Sequence, residues 1–130
     1  MSFKETIENT ATGWISDLES RSLDIVVSKW TDDIHYAVHP DDAGVYPMTR
    51  EQFRTNDRTA TIFQNLKLFK IRVNEIYSDA EKRTVTMVCT SNGELEVGPY
   101  RTDCLFVLTM TEDGKKIVKL TEWLDTHSRQ

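Results

Sequence analysis

The sequence predicts an α+β domain in which helices cover one face of a mainly antiparallel sheet. Apolar residues recur every three to four positions through most of the first half, whereas four alternating stretches separated by turn residues fill the second half. A single alternating stretch sits between the helical segments, so the order is helix, helix, strand, helix and four strands linked by hairpins.

The first helix is expected over residues 4–20, where Ile7, Ala11, Trp14, Ile15 and Leu18 form one buried stripe. A second, short helix over residues 23–29 carries Leu23, Ile25, Val26 and Val27 around much of its surface, which wedges it inside the fold. From Trp30 the period becomes two: Ile34, Tyr36 and Val38 point one way, and Asp33, His35, Ala37 and His39 the other. Pro40 ends this strand by removing a ladder donor and restricting His39. Residues 41–47, with Gly44 and Pro47, make a loop. Thr49 followed by Gln52 is a capping-box pattern, and Phe53, Ala60, Phe63 and Leu66 continue one helical stripe to about Asn65. Strands follow at residues 67–77, 83–91, 100–111 and 117–126, with turns at Ser78-Asp79, Asn92-Gly93 and Asp113-Gly114.

All 130 residues are expected to form one domain. Charged residues at 28% and hydrophobic ones at 38% give the balance of a folded globular protein. The net charge of −5 comes without a compensating basic run, which argues against nucleic acid as a partner. The N-terminus enters a polar amphipathic pattern with no apolar stretch for export or membrane spanning, so a cytoplasmic protein that does not engage a membrane is expected. Cys89 and Cys104 are too few for a zinc site or a disulfide framework, and packing is the expected role of each. His35, His39 and His127 form no compact ligand set, and His127 falls in a terminal tail expected to fray. Five glycines without a glycine-rich strand-to-helix loop give no sign of a nucleotide, so neither metal nor cofactor is expected.

Strand parity nominates a site. On the last strand Val118, Leu120, Glu122 and Leu124 share one face, and Ile117, Lys119, Thr121, Trp123 and Asp125 the other. The first set is the more apolar and should face inward, where desolvation favours the protonated form of Glu122 and suits it to acid or base work near neutrality; the other reading is a Glu paired across the sheet with Arg101 or the neighbours of Lys119. On the preceding strand Tyr100, Thr102, Cys104, Phe106 and Leu108 share a face, opposite Arg101, Asp103, Leu105 and Val107. Tyr100 then reads equally as a hydrogen-bond donor to a developing oxyanion or as an amphipathic rim residue. Trp14, Tyr36 and Tyr46 supply aromatic walls, with core packing the stronger expectation for Trp14. Arg50, Arg54 and Arg58, four residues apart, make one basic face, read as solvated and paired with Asp and Glu.

Trp30-Thr31-Asp32-Asp33-Ile34, His39-Pro40, residues 47–53, residues 100–108 and residues 114–125, taken in order, resemble the nuclear transport factor 2-like superfamily and its SnoaL-like, ketosteroid-isomerase-like branch. Tyr100-Arg101-Thr102-Asp103-Cys104 and Glu122-Trp123-Leu124-Asp125 are similar to the small fungal SnoaL-like proteins of secondary-metabolite clusters. The resemblance implies a cone-shaped half-barrel of three N-terminal helices packed on a curved sheet. It also implies cofactor-independent isomerase, cyclase or rearrangement chemistry on a hydrophobic polycyclic intermediate. The superfamily includes non-catalytic members, so a ligand-binding or dimerisation module stays open, as does a dehydratase.

The resemblance adds two further candidates. His39, ahead of a proline, matches the place of the Asp general base in ketosteroid-isomerase-like enzymes, and Asp103 lies on the strand that carries their acidic oxyanion-hole residue. A one-residue bulge would turn Asp103 inward in place of Cys104, and the choice between them stays open. The expected catalytic set is thus Glu122, Tyr100, His39 and Asp103, with Cys104, Tyr36, Tyr46, Trp14, Phe106 and Leu120 against a hydrophobic substrate. Relatives that pair through the outer sheet face imply a homodimer contact at Lys119, Thr121 and Trp123.

Overall fold

A computed structural model describes residues 1–41 and 44–125. Its elements are α1 (Phe3–Glu19), α2 (Leu23–Val26), β1 (Trp30–His39), α3 (Arg50–Arg54), α4 (Asp57–Asn65), β2 (Leu68–Asp79), β3 (Thr84–Leu95), β4 (Gly98–Met110) and β5 (Ile117–Leu124). His127 and Thr126, the expected end of the last strand, lie outside the described residues, as do positions 42 and 43 of the expected loop.

Ser2 and Glu5 start α1 with a reciprocal capping box, satisfying backbone donors that a helix end leaves open. Ile7, Ala11, Trp14, Ile15 and Leu18 are then buried along one stripe, as the spacing predicts. Two hydrogen bonds tie that stripe to the rest of the fold. Trp14 Nε1 donates to the Val26 carbonyl (3.1 Å), and Thr10 Oγ1 donates to the Gly114 carbonyl (2.6 Å). Gly114 has φ of +77°, and a Cβ there would come within 3.0 to 3.1 Å of Phe3, Ile7 and Thr6, so the turn needs glycine twice over.

The expected third helix is broken. Thr49 and Gln52 form the capping box that starts α3, but the helix stops at Thr55. The Asn56 side chain then accepts from Thr59 N (3.0 Å) and starts α4 afresh. An Asn that bonds its own downstream backbone competes with the helix ladder, which explains the interruption within an unbroken apolar stripe. The break also divides the three arginines: Arg50 Nε donates to the Val27 carbonyl (3.0 Å), and Arg54 pairs with Glu51 (2.9 Å), while Arg58 belongs to α4.

The sheet order is β1-β5-β4-β3-β2, with β1 and β5 parallel and the other pairs antiparallel. Register irregularities within the β1–β5, β2–β3 and β4–β5 pairs bend it, giving the curved, open sheet of a cone-shaped half-barrel. Two local expectations are corrected here. Asn92-Gly93 is not a turn: both residues lie inside β3, opposite Arg101 and Tyr100, and the hairpin turns at Glu96 and Val97. On β5, Ile117 pairs with Met110 but Lys119 with Thr109, so Val118 is an extra residue. That bulge turns Ile117 inward, where it is fully buried, whereas strict alternation predicts it outside.

Beneath the helices, Val85, Met87, Leu108, Met110, Ile117 and Leu120 are buried to completion and fill the narrow end of the cone. Each such side chain contributes about 1.5 to 3 kcal/mol. Trp14 meets Phe106 edge to face at 5.2 Å and closes this core from above. The wide end remains hollow.

Candidate active site

The hollow is a cavity of about 530 Å³ between α1, α4, the segment after β1 and the concave side of the sheet. Trp14, Trp30, Tyr36, Tyr46, Phe53 and Phe106 supply its aromatic wall. Polar groups enter from the strands: Ser91 from β3, Tyr100, Thr102 and Cys104 from β4, and Glu122 from β5. Among the described residues that line it, Glu122 is the one Asp, Glu, Lys or Arg. A mostly apolar cavity of this size with a few convergent polar groups suits a drug-sized ligand.

Register fixes which side chains meet there. β4 runs opposite β3 without a shift from Gly98 to Thr109, so alternation carries Tyr100, Thr102, Cys104 and Phe106 inward together. Beyond the Val118 bulge, Leu120, Glu122 and Leu124 follow the same parity, and Glu122 stands opposite Phe106 on one side and Val38 on the other. Tyr100 owes its position to Gly93, because a Cβ on Gly93 would lie 2.3 Å from the Tyr100 ring.

Tyr36 and Tyr46 are held by the chain that returns over β1. Tyr36 and Met48 exchange backbone hydrogen bonds (3.0 and 2.7 Å). The Asp41 carboxylate accepts from Val45 N (3.0 Å) and Tyr46 N (3.1 Å), bending the segment so that the two tyrosine rings meet edge to face at 5.6 Å. Burial raises the Tyr36 phenol well above its ordinary pKa, and the negative charge of Glu122 raises it further. Tyr46 is raised by the same two causes, with Arg58 opposing. Both phenols therefore stay protonated and able to donate, within electrostatic reach of one carboxylate.

Cys89 and Cys104 stand directly opposite each other on β3 and β4, both buried with free thiols. The neighbouring Cys104 lowers the pKa of the Cys89 thiol, whereas Cys89, burial and Glu122 raise that of Cys104.

Four expected site residues are placed elsewhere. In the parallel β1–β5 pair His39 lies opposite Trp123, while Val38 lies opposite Glu122. The His39 ring stacks on Trp123 at 4.1 Å on the outer face, so it does not reach the cavity. Asp103 is exposed and accepts from Thr90 Oγ1 (3.2 Å), because no bulge interrupts β4 at that point and Cys104 keeps the inward position. Leu120 is fully buried in the core, opposite Leu108, and does not line the cavity. His35, the weaker histidine candidate, is exposed opposite Lys119. Trp14 takes both expected roles, being 1% exposed and part of the wall.

Sequence reasoning passed over Thr102, Ser91 and Trp30 in the wall, and Asp41 behind Tyr46. Thr102 shares the parity of Tyr100 and Cys104, a signal that was available. Asp41 gives none, since its role depends on the path of the segment after Pro40. A separate hollow of about 380 Å³ between α2 and α4 has Arg21, Asp24 and Arg54 at its rim. Arg54 pairs there with Asp24 (3.6 Å) and Glu51, so local charges satisfy it. No group of three potential metal-ligating side chains occurs among the described residues. Among them, too, no helix is long and apolar enough to cross a membrane.

The fold is that of the SnoaL-like and ketosteroid-isomerase-like proteins. A pinacolase from Penicillium brevicompactum, BvnE, is 25% identical and superposes with a TM-score of 0.88, covering 98% of this chain and 88% of its own. A SnoaL-like polyketide cyclase described from Shewanella denitrificans superposes with a TM-score of 0.79 at 8% identity, over 94% of this chain and 92% of its own. Among curated proteins, the monooxygenase AacuO of Aspergillus aculeatus is 24% identical over 117 residues, which are 90% of this chain and 72% of that protein. No family model matches the sequence.

Proposed function

We propose that the protein is a cofactor-independent acid–base isomerase or cyclase acting on a hydrophobic, polycyclic intermediate of secondary metabolism. The observation that carries this reading is Glu122, the single carboxyl side chain in the described wall of an aromatic cavity, with the phenols of Tyr36 and Tyr46 in its field. The carboxylate takes a proton from the substrate, from a carbon beside a carbonyl or from a hydroxyl, and returns it at a second position. Tyr100, with Tyr36 and Tyr46, donates hydrogen bonds to the oxygen on which negative charge develops. The aromatic wall holds the substrate in a reactive shape and keeps water out. Net composition does not change in such a reaction.

The name of the pinacolase similar to this chain supports a rearrangement, and that of the polyketide cyclase a ring closure. A second reading, oxygen insertion, draws on the monooxygenase name of the curated relative. Trp123, 49% exposed and stacked on His39, is read as part of a homodimer contact on the outer sheet face. Metabolite profiles of strains carrying the unmodified protein, no protein, or Glu122→Gln test the main reading. The variant should accumulate the same intermediate as the deletion; an unchanged product profile would remove Glu122 from the mechanism.

A further inference from the structure

We propose that Cys89 and Cys104 are an oxidisable dithiol that closes to a cross-strand disulfide in the cavity wall when a peroxide enters. The two residues are direct partners in the antiparallel β3–β4 ladder and point to the same, concave face. Residues so paired have Cα atoms about 4.5 or 5.5 Å apart, depending on the kind of pair, and both spacings fall within the roughly 4.4 to 6.8 Å that a disulfide spans. That Cα spacing permits the link.

The surroundings favour the pair as a unit. Both thiols are free and buried on directly paired residues, and Cys89 is the easier of the two to ionise, because Cys104 beside it lowers its pKa. Cys104 lines the cavity, and Cys89, the more readily ionised thiol, lies directly behind it at 1% exposure, so a small oxidant reaches the attacking sulfur past Cys104. Any oxidised sulfur therefore has its resolving partner beside it.

The chemistry balances. The ionised sulfur attacks a peroxide oxygen, the O–O bond breaks, and the leaving oxygen takes the thiol proton to become an alcohol or, from hydrogen peroxide, water. The second sulfur displaces hydroxide from the resulting sulfenic acid; the S–O bond breaks, the S–S bond forms, and water departs with the second proton. Two electrons pass from the sulfurs to the peroxide. The wall beside Glu122 loses its S–H groups and gains a covalent tie between β3 and β4.

The test needs no knowledge of the substrate. Purified protein is treated with hydrogen peroxide, denatured, alkylated with N-ethylmaleimide and weighed intact, with and without prior dithiothreitol. The expected result is loss of both alkylation sites, a monomer lighter by two hydrogens, a linked peptide pair containing Cys89 and Cys104, and recovery of both sites after reduction. Binding of a fluorescent hydrophobic probe such as anilinonaphthalene sulfonate should also change on oxidation, and should not do so in Cys89→Ser. Two thiols still alkylated after peroxide, oxygenated sulfurs without a link, or a disulfide only between molecules would each overturn the proposal. The mass measurement uses the unmodified protein, so it decides even if the serine variant fails to fold.

Discussion

Gly93 and Tyr100 face each other across β3 and β4, and the tyrosine ring occupies the space where a side chain on Gly93 would stand. A hydrogen in place of a methyl group thus shapes the cavity. Gly93→Ala should push the ring out of place and cost about 1 to 3 kcal/mol in urea unfolding. Removing the ring first, as Tyr100→Ala, should make the same glycine substitution nearly neutral, since the clash is between those two groups. Equal costs in both backgrounds would show that the glycine is needed for another reason.

Tyr36 gives an alkaline limit to stability. Its phenol is held above the ordinary value of 10.0, so above about pH 10 the unfolded chain loses a proton that the folded protein keeps. Stability should be full below that pH and decline above it, by about 1.4 kcal/mol per pH unit for this group. Tyr36→Phe should flatten the decline by one group's worth in denaturation series between neutral and alkaline pH. A slope identical to that of the unmodified protein would mean that Tyr36 ionises freely.

Asp41 positions Tyr46 through two backbone N–H groups. Asp41→Ala should cost the fold about 1 to 3 kcal/mol, since two backbone donors lose a carboxylate acceptor. Affinity for a hydrophobic ligand should fall more than stability does, because Tyr46 loses its hold on the cavity side. Calorimetric titration of the accumulated intermediate, set beside the melting curve, separates the two effects.

The faces of β1 distinguish residues near the site from residues in it. His39 stacks on Trp123 outside the cavity, so His39→Ala should leave turnover intact. Glu122→Gln, nearly the same size and still able to hydrogen bond, should lower it by about 10²- to 10⁴-fold, the range of general acid–base catalysis. Comparable losses in both variants would bring the histidine back into the mechanism.

Much of this was legible in the chain. Three-to-four spacing outlined α1, and alternation placed Tyr36 and Val38 on one side of β1 and His39 on the other, before any likeness to an enzyme's aspartate argued differently. The parity of β4 and β5 likewise brought Tyr100, Cys104 and Glu122 to one face. What stayed hidden depends on contacts between distant segments. Asn92-Gly93 has the composition of a turn, but its glycine serves to admit a ring from β4. Asn56 interrupts a stripe whose period continues across it, and Val118 shifts the phase of β5 for one residue before Leu120 restores it. The Asp41 bonds exist only once the chain has turned back over β1.

The most direct test follows atoms rather than residues. Purified protein is given the intermediate that accumulates in its absence, under ¹⁸O₂ and without added metal, flavin or nicotinamide, and the product is weighed by high-resolution mass spectrometry. The account predicts a product of the same elemental composition as the intermediate, formed by the unmodified protein and lost with Glu122→Gln. A product carrying ¹⁸O, or one formed as fast by the glutamine variant, would contradict it.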